Sequence, residues 1–194
     1  MRVIAGKYKG RNIETMQDKG KKLRPTTGLA REALFNILSH GQFAVGGKKL
    51  LDGARVLDLY CGSGALAIEA LSRGASYAVL IDMEKLHLDI ARKNIKNLGA
   101  EENAAFIRAN SSTPPPAHVP CNLIFIDPPY NQGLAQATLE NLVKGNWLAN
   151  DAVVVIETAK KEDITVPEGL EELEDRKYGN SRMRILRWNK PQAK

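Results

Sequence analysis

Arg55-Val56-Leu57-Asp58-Leu59-Tyr60-Cys61-Gly62-Ser63-Gly64-Ala65-Leu66-Ala67-Ile68-Glu69-Ala70-Leu71 is the stretch from which the fold is read. An apolar run over 55–59 enters a glycine-rich turn and leaves it as a helix over 64–73. Leu66, Ala70 and Leu71 share one face of that helix, and Gly74 supplies its stop. The rhythm then repeats. Apolar or β-branched runs recur at 78–82, 104–108, 123–127 and 152–157, with amphipathic segments at 84–98 and 134–144. In the first of those segments the stripe is Leu86, Ile90, Ala91, Ile95 and Leu98, stopped by Gly99. Strands that are apolar throughout and alternate with helices predict a parallel sheet covered on both faces. The fold class is α/β, doubly wound and Rossmann-like.

Both ends lie outside this rhythm. Residues 2–13 mix apolar and basic side chains around Gly6 and Gly10 and read as a small β-hairpin. A polar stretch, 15–22, precedes a helix over 28–38 whose apolar face is Leu29, Ala30, Ala33, Leu34, Ile37 and Leu38. Segments 173–178 and 183–188 flank Gly179-Asn180-Ser181 as a second hairpin, and 111–120, with four prolines, is an irregular loop. The expected organisation is a basic extension over 1–50 and one catalytic domain over 51–194.

Composition narrows the setting. Of 194 residues 43% are hydrophobic and 26% charged, which excludes disordered and fibrous classes. No apolar run approaches the length of a membrane helix, and the N-terminus carries no apolar signal segment, so a cytoplasmic protein is expected. Two cysteines, Cys61 and Cys121, suit a reducing compartment, with Cys61 read as a packing residue. His40, His87 and His118 are scattered, and neither cysteine has ligand spacing, so no metal is expected. Trp147 and Trp188 are read as packing residues rather than base platforms, Glu157 as a solvated strand end with a site-facing position as the alternative, and the acidic run 168–175 as a solvated face. The charge is uneven: residues 1–49 carry a net +8 and the rest −2. A basic arm on a nearly neutral body points to a polyanionic partner.

Two motifs carry chemistry. In the turn, Gly62-x-Gly64-x-x-Ala67 lets backbone approach a ligand, and Asp82 follows Gly62 by 20 residues at the end of the next run. An acid there can accept from both ribose hydroxyls of NAD or of S-adenosylmethionine. The second motif, Asp127-Pro128-Pro129-Tyr130, discriminates between them. Two prolines hold Asp127 rigidly, the Pro128 carbonyl faces the same space, and Tyr130 offers a flat ring for a base. An exocyclic nucleobase amine is a poor nucleophile because its lone pair is delocalised. Two acceptors, one per N–H, localise that lone pair and stabilise the charge developing on nitrogen. Guanine N2 and adenine N6 both fit, once the base is unstacked. A nicotinamide-dependent dehydrogenase would leave this tetrapeptide unexplained, and an RNA-binding factor without catalysis would not need it.

These motifs resemble those of S-adenosylmethionine-dependent amino methyltransferases. Residues 2–11, Leu23-Arg24-Pro25-Thr26-Thr27 and Arg31-Glu32-Ala33-Leu34-Phe35-Asn36 are similar, more narrowly, to the bacterial 16S ribosomal RNA guanine-N2 methyltransferases. The resemblance covers nearly the whole chain. It implies a seven-stranded sheet with the last strand antiparallel, an N-terminal hairpin for RNA, and one methylated guanine in the small subunit or its assembly intermediate. A monomer is expected. The resemblance also implies that Asp127, Pro128, Pro129 and Tyr130 form the catalytic motif. Asp58, Tyr60, Gly62, Ser63, Gly64, Asp82, Met83, Asn110, Arg24 and Thr26 would then surround the cofactor, with Met83 on the adenine and Asn110 reaching its amine. Many relatives carry Asp where this chain has Asn110, and Gly28-Leu29 replaces an Asp and a basic residue. Lys7, Tyr8, Lys9 and Arg11 combine a ring with cations, an RNA-binding mixture, although Tyr8 could equally pack beneath the hairpin. An adenine-N6 methyltransferase acting on DNA or RNA is the alternative with the same chemistry.

Overall fold

The structure, a computed structural model, describes residues 1–15, 28–44, 46–130 and 132–190. Seven strands form one sheet: β1 (Arg55–Leu59), β2 (Tyr77–Asp82), β3 (Ala104–Arg108), β4 (Cys121–Ile126), β5 (Leu148–Ala159), β6 (Leu170–Tyr178) and β7 (Ser181–Trp188). Their order is β3-β2-β1-β4-β5-β7-β6. Neighbours from β3 to β5 are parallel, and β7 runs antiparallel to both β5 and β6. The expected antiparallel last strand is present, inserted one place from the edge.

Side-chain parity sorts the core onto two faces, because successive residues of a strand point opposite ways. Val56, Leu80, Leu123, Phe125, Val153, Val155 and Ile185 pack on one face with helices α1 (Gly28–Leu38), α2 (Ala65–Ser72) and α3 (Lys85–Asn97). Leu57, Leu59, Val79, Ile81, Ile124, Ile126, Val154 and Ile156 pack on the other with α4 (Leu134–Lys144). Right-handed crossovers explain the split. The chain winds one way through β1, β2 and β3 and the opposite way through β4 and β5, so their helices fall on opposite faces. The direction reverses between β1 and β4, which opens a crevice beyond the C-terminal ends of those two strands.

Several boundaries differ from the sequence-based expectation, each for a physical reason. β4 stops at Ile126 rather than 127, because Pro128 and Pro129 lack the N–H a ladder needs. β5 starts four residues before the expected 152. Its register against β4 shifts between Cys121 and Leu123, and Asp151 takes a positive φ of 58° at that irregularity. β6 begins at Leu170, and its acidic residues are largely exposed at the sheet edge, where charge discourages further strand pairing. The C-terminal turn is the two residues Gly179-Asn180, with Ser181 already in β7 opposite Tyr178.

The N-terminal segment folds back as expected, yet it pairs through a single bridge, Arg2 to Asn12. Several other backbone donors bond within the segment, and four go to α2. Ile4 and Ala5 donate to Glu69, and Lys7 and Tyr8 donate to the Ser72 carbonyl and hydroxyl. Gly6 makes this approach possible: a Cβ there would lie 1.7 Å from the Ser72 carbonyl oxygen. Trp147 and Trp188 are buried in the second face, as expected. Among the described residues no helix is long and apolar enough to cross a membrane.

Candidate active site

The turn after β1 is held in an unusual conformation by contacts from three sides. Tyr60 has φ +59°, costly for a residue with a side chain. Its N–H donates to Ser111 Oγ at 3.1 Å, and its hydroxyl lies 2.8 Å from Thr138 Oγ1 on α4. Thr138 gives its own proton to the Leu134 carbonyl, so the Tyr60 hydroxyl is the donor. Cys61 N–H donates to the Ile81 carbonyl, and Gly64 N–H to the Cys61 carbonyl. Gly64 caps α2 at φ +76°, and a Cβ there would sit 2.9 Å from Leu80 Cδ2. Ser63 is half-buried, and its carbonyl accepts from the buried Asn94. Asp58 is buried beneath the turn, where one oxygen accepts the Ala67 N–H of α2 at 3.1 Å. Burial, with Asp127 and Asp82 nearby, pushes its carboxyl well above the usual range. The Cys61 thiol is buried and likewise pushed up, which suits packing rather than reactivity.

Asp82 ends β2 with its carboxylate crowded by donors. Gly62 N–H reaches Oδ2 at 3.0 Å, Glu84 N–H reaches Oδ1 at 2.9 Å, and His87 Nδ1 lies 3.0 Å from Oδ2. Burial opposes the charge, but the hydrogen bonds from His87, Glu84 and Gly62 outweigh it and hold the carboxyl below its ordinary value. The Met83 side chain beside it is exposed, an apolar surface at the rim. Asn110 is exposed, and its Oδ1 accepts both the N–H and the hydroxyl of Ser112. Its acceptor capacity is thus spent within its own loop, leaving the NH2 group as the available partner.

The Asp127-Pro128-Pro129-Tyr130 segment leaves β4 on the far side of the same crevice. Asp127 is half-buried, Pro128 is buried, and Pro129 and Tyr130 are exposed. Tyr130 is not a free ring. Its hydroxyl lies 2.5 Å from Glu157 Oε1 and 3.0 Å from Ser181 Oγ. Burial and the carboxylate of Glu157 together raise its pKa, so the phenol stays a donor. Glu157, expected as a solvated strand end, is instead half-buried and turned toward the motif.

The basic N-terminal residues lie elsewhere. Lys7 and Tyr8 sit at the C-terminal end of α2, around a cavity of about 240 Å³ that Ser72 and Asn103 also line. The Arg11 guanidinium reaches the Asn97 carbonyl at the end of α3. Those helix ends lead into the starts of β2 and β3, so this group occupies the pole of the sheet opposite the crevice. Tyr8 is partly buried against the core while the Lys7 ammonium lies 5.1 Å from its ring centroid, so packing and exposure coexist. Arg24 and Thr26 lie outside the described residues.

Sequence reasoning missed His87, Ser111, Thr138 and Ser181, while Glu157 takes the less expected of its two readings and faces the site. Only His87 carried a local signal, five residues beyond Asp82 and one turn into a helix.

A doubly wound sheet of this order, with a glycine turn after β1 facing an Asp-Pro-Pro-Tyr segment after β4, defines a Rossmann-like methyltransferase. The particular family follows from the whole chain: the protein belongs to the conserved hypothetical protein 95 family, whose description matches residues 1–187. An uncharacterized methylase of Rickettsia prowazekii is 34% identical over 97% of this chain and 98% of its own. Ribosomal RNA small subunit methyltransferase D of Escherichia coli K12 is 36% identical over 86% of this chain and 79% of its own. The solved structure of Escherichia coli yhhF, a protein named as a methyltransferase, superimposes with a TM-score of 0.84. It is 29% identical and covers 98% of this chain and 99% of its own.

Proposed function

We propose that this protein transfers a methyl group from S-adenosylmethionine to the exocyclic N2 of a guanine in 16S ribosomal RNA. The substrate is the small ribosomal subunit or its assembly intermediate, and the protein acts as a cytoplasmic monomer. One observation carries the reading: the rigid Asp127-Pro128 pair borders the crevice at the strand-order reversal, facing the glycine turn. The relatives named for small-subunit ribosomal RNA support the substrate class.

The residues around the turn fit the cofactor. Asp82 is held in its charged form and keeps acceptor capacity on Oδ1 for a ribose hydroxyl. Met83 offers apolar surface for the adenine, and the Asn110 NH2 suits a ring nitrogen better than the amine. Tyr60, Gly62, Ser63 and Gly64 shape the wall, and buried Asp58 supports it from below. By family resemblance alone, Arg24 and Thr26 are assigned to the same cofactor site. When bound, S-adenosylmethionine supplies an electrophilic sulfonium methyl.

The chain's own residues do the rest. Asp127 and the Pro128 carbonyl each accept one N–H of the target amine, localising its lone pair toward the methyl. Tyr130 stacks the unstacked guanine, and Pro129 keeps the segment rigid. As the N–C bond forms and the C–S bond breaks, positive charge on nitrogen is stabilised by Asp127, through which a proton then leaves to water. Residues 1–50 form the RNA-contacting extension, with Lys7, Tyr8, Lys9 and Arg11 on phosphates, and 51–194 form the catalytic domain.

The test supplies methyl-labelled S-adenosylmethionine with unmodified small subunits, naked 16S RNA or duplex DNA, followed by digestion to nucleosides. Label in N2-methylguanosine is expected. Label in N6-methyladenine would keep the chemistry and overturn the substrate. Asp127→Ala should lower kcat by about 100- to 1,000-fold, the scale of removing one such electrostatic partner, with cofactor Kd near normal.

A further inference from the structure

We infer that Glu157 and Ser181 are positioning residues, which clamp the Tyr130 hydroxyl so that its ring is a fixed platform for the incoming base. The inference rests on the proposed reading of Tyr130 as the stacking residue and goes beyond it by naming what sets the ring.

Three strands converge to make the clamp. Tyr130 follows β4, Glu157 lies near the end of β5 opposite Met183, and Ser181 opens β7 opposite Ala159. In this antiparallel pair Glu157 and Ser181 are diagonal neighbours on one face, the face that holds Val153, Val155, Met183 and Ile185. A single hydroxyl reaches both, at 2.5 Å and 3.0 Å. The carboxylate can only accept, so the phenol proton goes to Glu157 and the serine hydroxyl donates to the phenol oxygen. All three groups are used without conflict. Tyr130 as a residue remains 36% exposed, which leaves surface for a base while its hydroxyl is tied.

The backbone makes such a tie necessary. Pro128 and Pro129 stiffen the chain only up to Tyr130, whose side chain rotates about χ1 and χ2 regardless. A ring left free would have to be ordered at each binding event, a penalty that falls on substrate binding and on alignment. The clamp removes it beforehand. It also gives the antiparallel β7 a role at the active site: a sheet ending at β5 would supply Glu157 but no Ser181.

The expected pattern is specific. Tyr130→Phe keeps the ring and loses both bonds, and it should lower kcat/KM for small subunits about tenfold with cofactor Kd unchanged. Glu157→Ala should do the same, and Glu157→Gln, which still presents an acceptor oxygen, should restore most of the loss. Ser181→Ala should cost about two- to threefold. Glu157→Ala combined with Tyr130→Phe should be no worse than Tyr130→Phe alone, because the phenylalanine has already lost the bond to Glu157. Losses that multiply, or Tyr130→Phe at wild-type kcat/KM, would overturn the clamp.

A second measurement needs no turnover. With ring-labelled tyrosine, the Tyr130 resonance, assigned by its absence in Tyr130→Phe, should report one fixed environment in the wild type and an averaged one in Glu157→Ala. An unchanged resonance in Glu157→Ala would refute the clamp even in an active enzyme. Failure of the wild type to methylate any guanine would refute the substrate reading, while the ring resonance still decides the clamp.

Discussion

At the scale of the residue, the His87–Asp82 contact makes a pH-dependent prediction. Its hydrogen bond to Asp82 raises the His87 pKa above the ordinary 6.5, against a smaller opposing effect of burial. The share of stability from His87 is therefore complete below 6.5 and lost as pH rises through its raised folded-state value. Asp82 has the opposite sign: its lowered carboxyl contributes above the ordinary 3.8 and stops contributing as pH falls through its folded-state value. The pair stabilises fully only between those two ordinary values. His87→Gln should cost on the order of 1 kcal/mol within that window and progressively less in alkaline buffer, measured by thermal unfolding across pH. A cost independent of pH would mean that the imidazole acts through packing alone. Asp82 itself was legible in the sequence, since its distance from Gly62 follows from one strand-helix-strand unit. Its imidazole partner was less so, because a histidine in an amphipathic helix looks the same whether or not it faces a carboxylate.

At the scale of the element, α2 is the anchor of the N-terminal segment. Glu69 is fully buried, accepts from Ile4 and Ala5, bonds Arg73 Nε at 2.7 Å and pairs with Arg31 at 3.6 Å. Arg31 is itself buried, and that burial lowers its pKa against the opposing pull of Glu69. Removing the carboxylate leaves a buried guanidinium without its countercharge and two backbone donors without an acceptor. Glu69→Ala should cost about 3–5 kcal/mol in denaturant unfolding, with Glu69→Gln milder because it still accepts hydrogen bonds. A loss below about 1 kcal/mol would show that the anchor lies elsewhere. The sequence reading of this helix rested on Leu66, Ala70 and Leu71 and gave Glu69 no role. The strands were readable to different degrees for a related reason. β1 and β3 matched because apolar runs stop where the strands stop. The first residues of β5 and β6 did not: Asn150 and Asp151 look like loop and fall at a register irregularity, while Glu171 and Glu172 look like loop although their backbone pairs with β7.

At the scale of the whole molecule, charge and topology act together. The acidic outer strand β6 and the basic N-terminal turn give the protein two unlike sides. The alternation of runs predicted the two-layered winding, and family resemblance implied an antiparallel last strand, but neither said that β7 inserts between β5 and β6. No local pattern states which strand pairs with which. On the proposed reading, reversing Lys7, Lys9 and Arg11 to glutamate should weaken binding of 16S RNA. The slope of log affinity against log salt should fall in magnitude by on the order of 2–3, one increment per lost phosphate contact. An unchanged slope would move the RNA surface away from this turn.

The position of that turn has a consequence for what counts as substrate. Gly6 pressed against Ser72 holds it fast, so it cannot swing toward Asp127 like a loose tether. The two regions are separated by the length of a strand, roughly 20 Å for six residues of β2. The protein then has the geometry of a calliper with rigid jaws. On the proposed reading, a short oligonucleotide bearing the target guanine would touch one jaw only. An RNA folded so that phosphates lie at the correct spacing from the target base would fill both. Such a tool, on that reading, gauges the shape of the RNA it modifies and distinguishes a folded substrate from a short fragment.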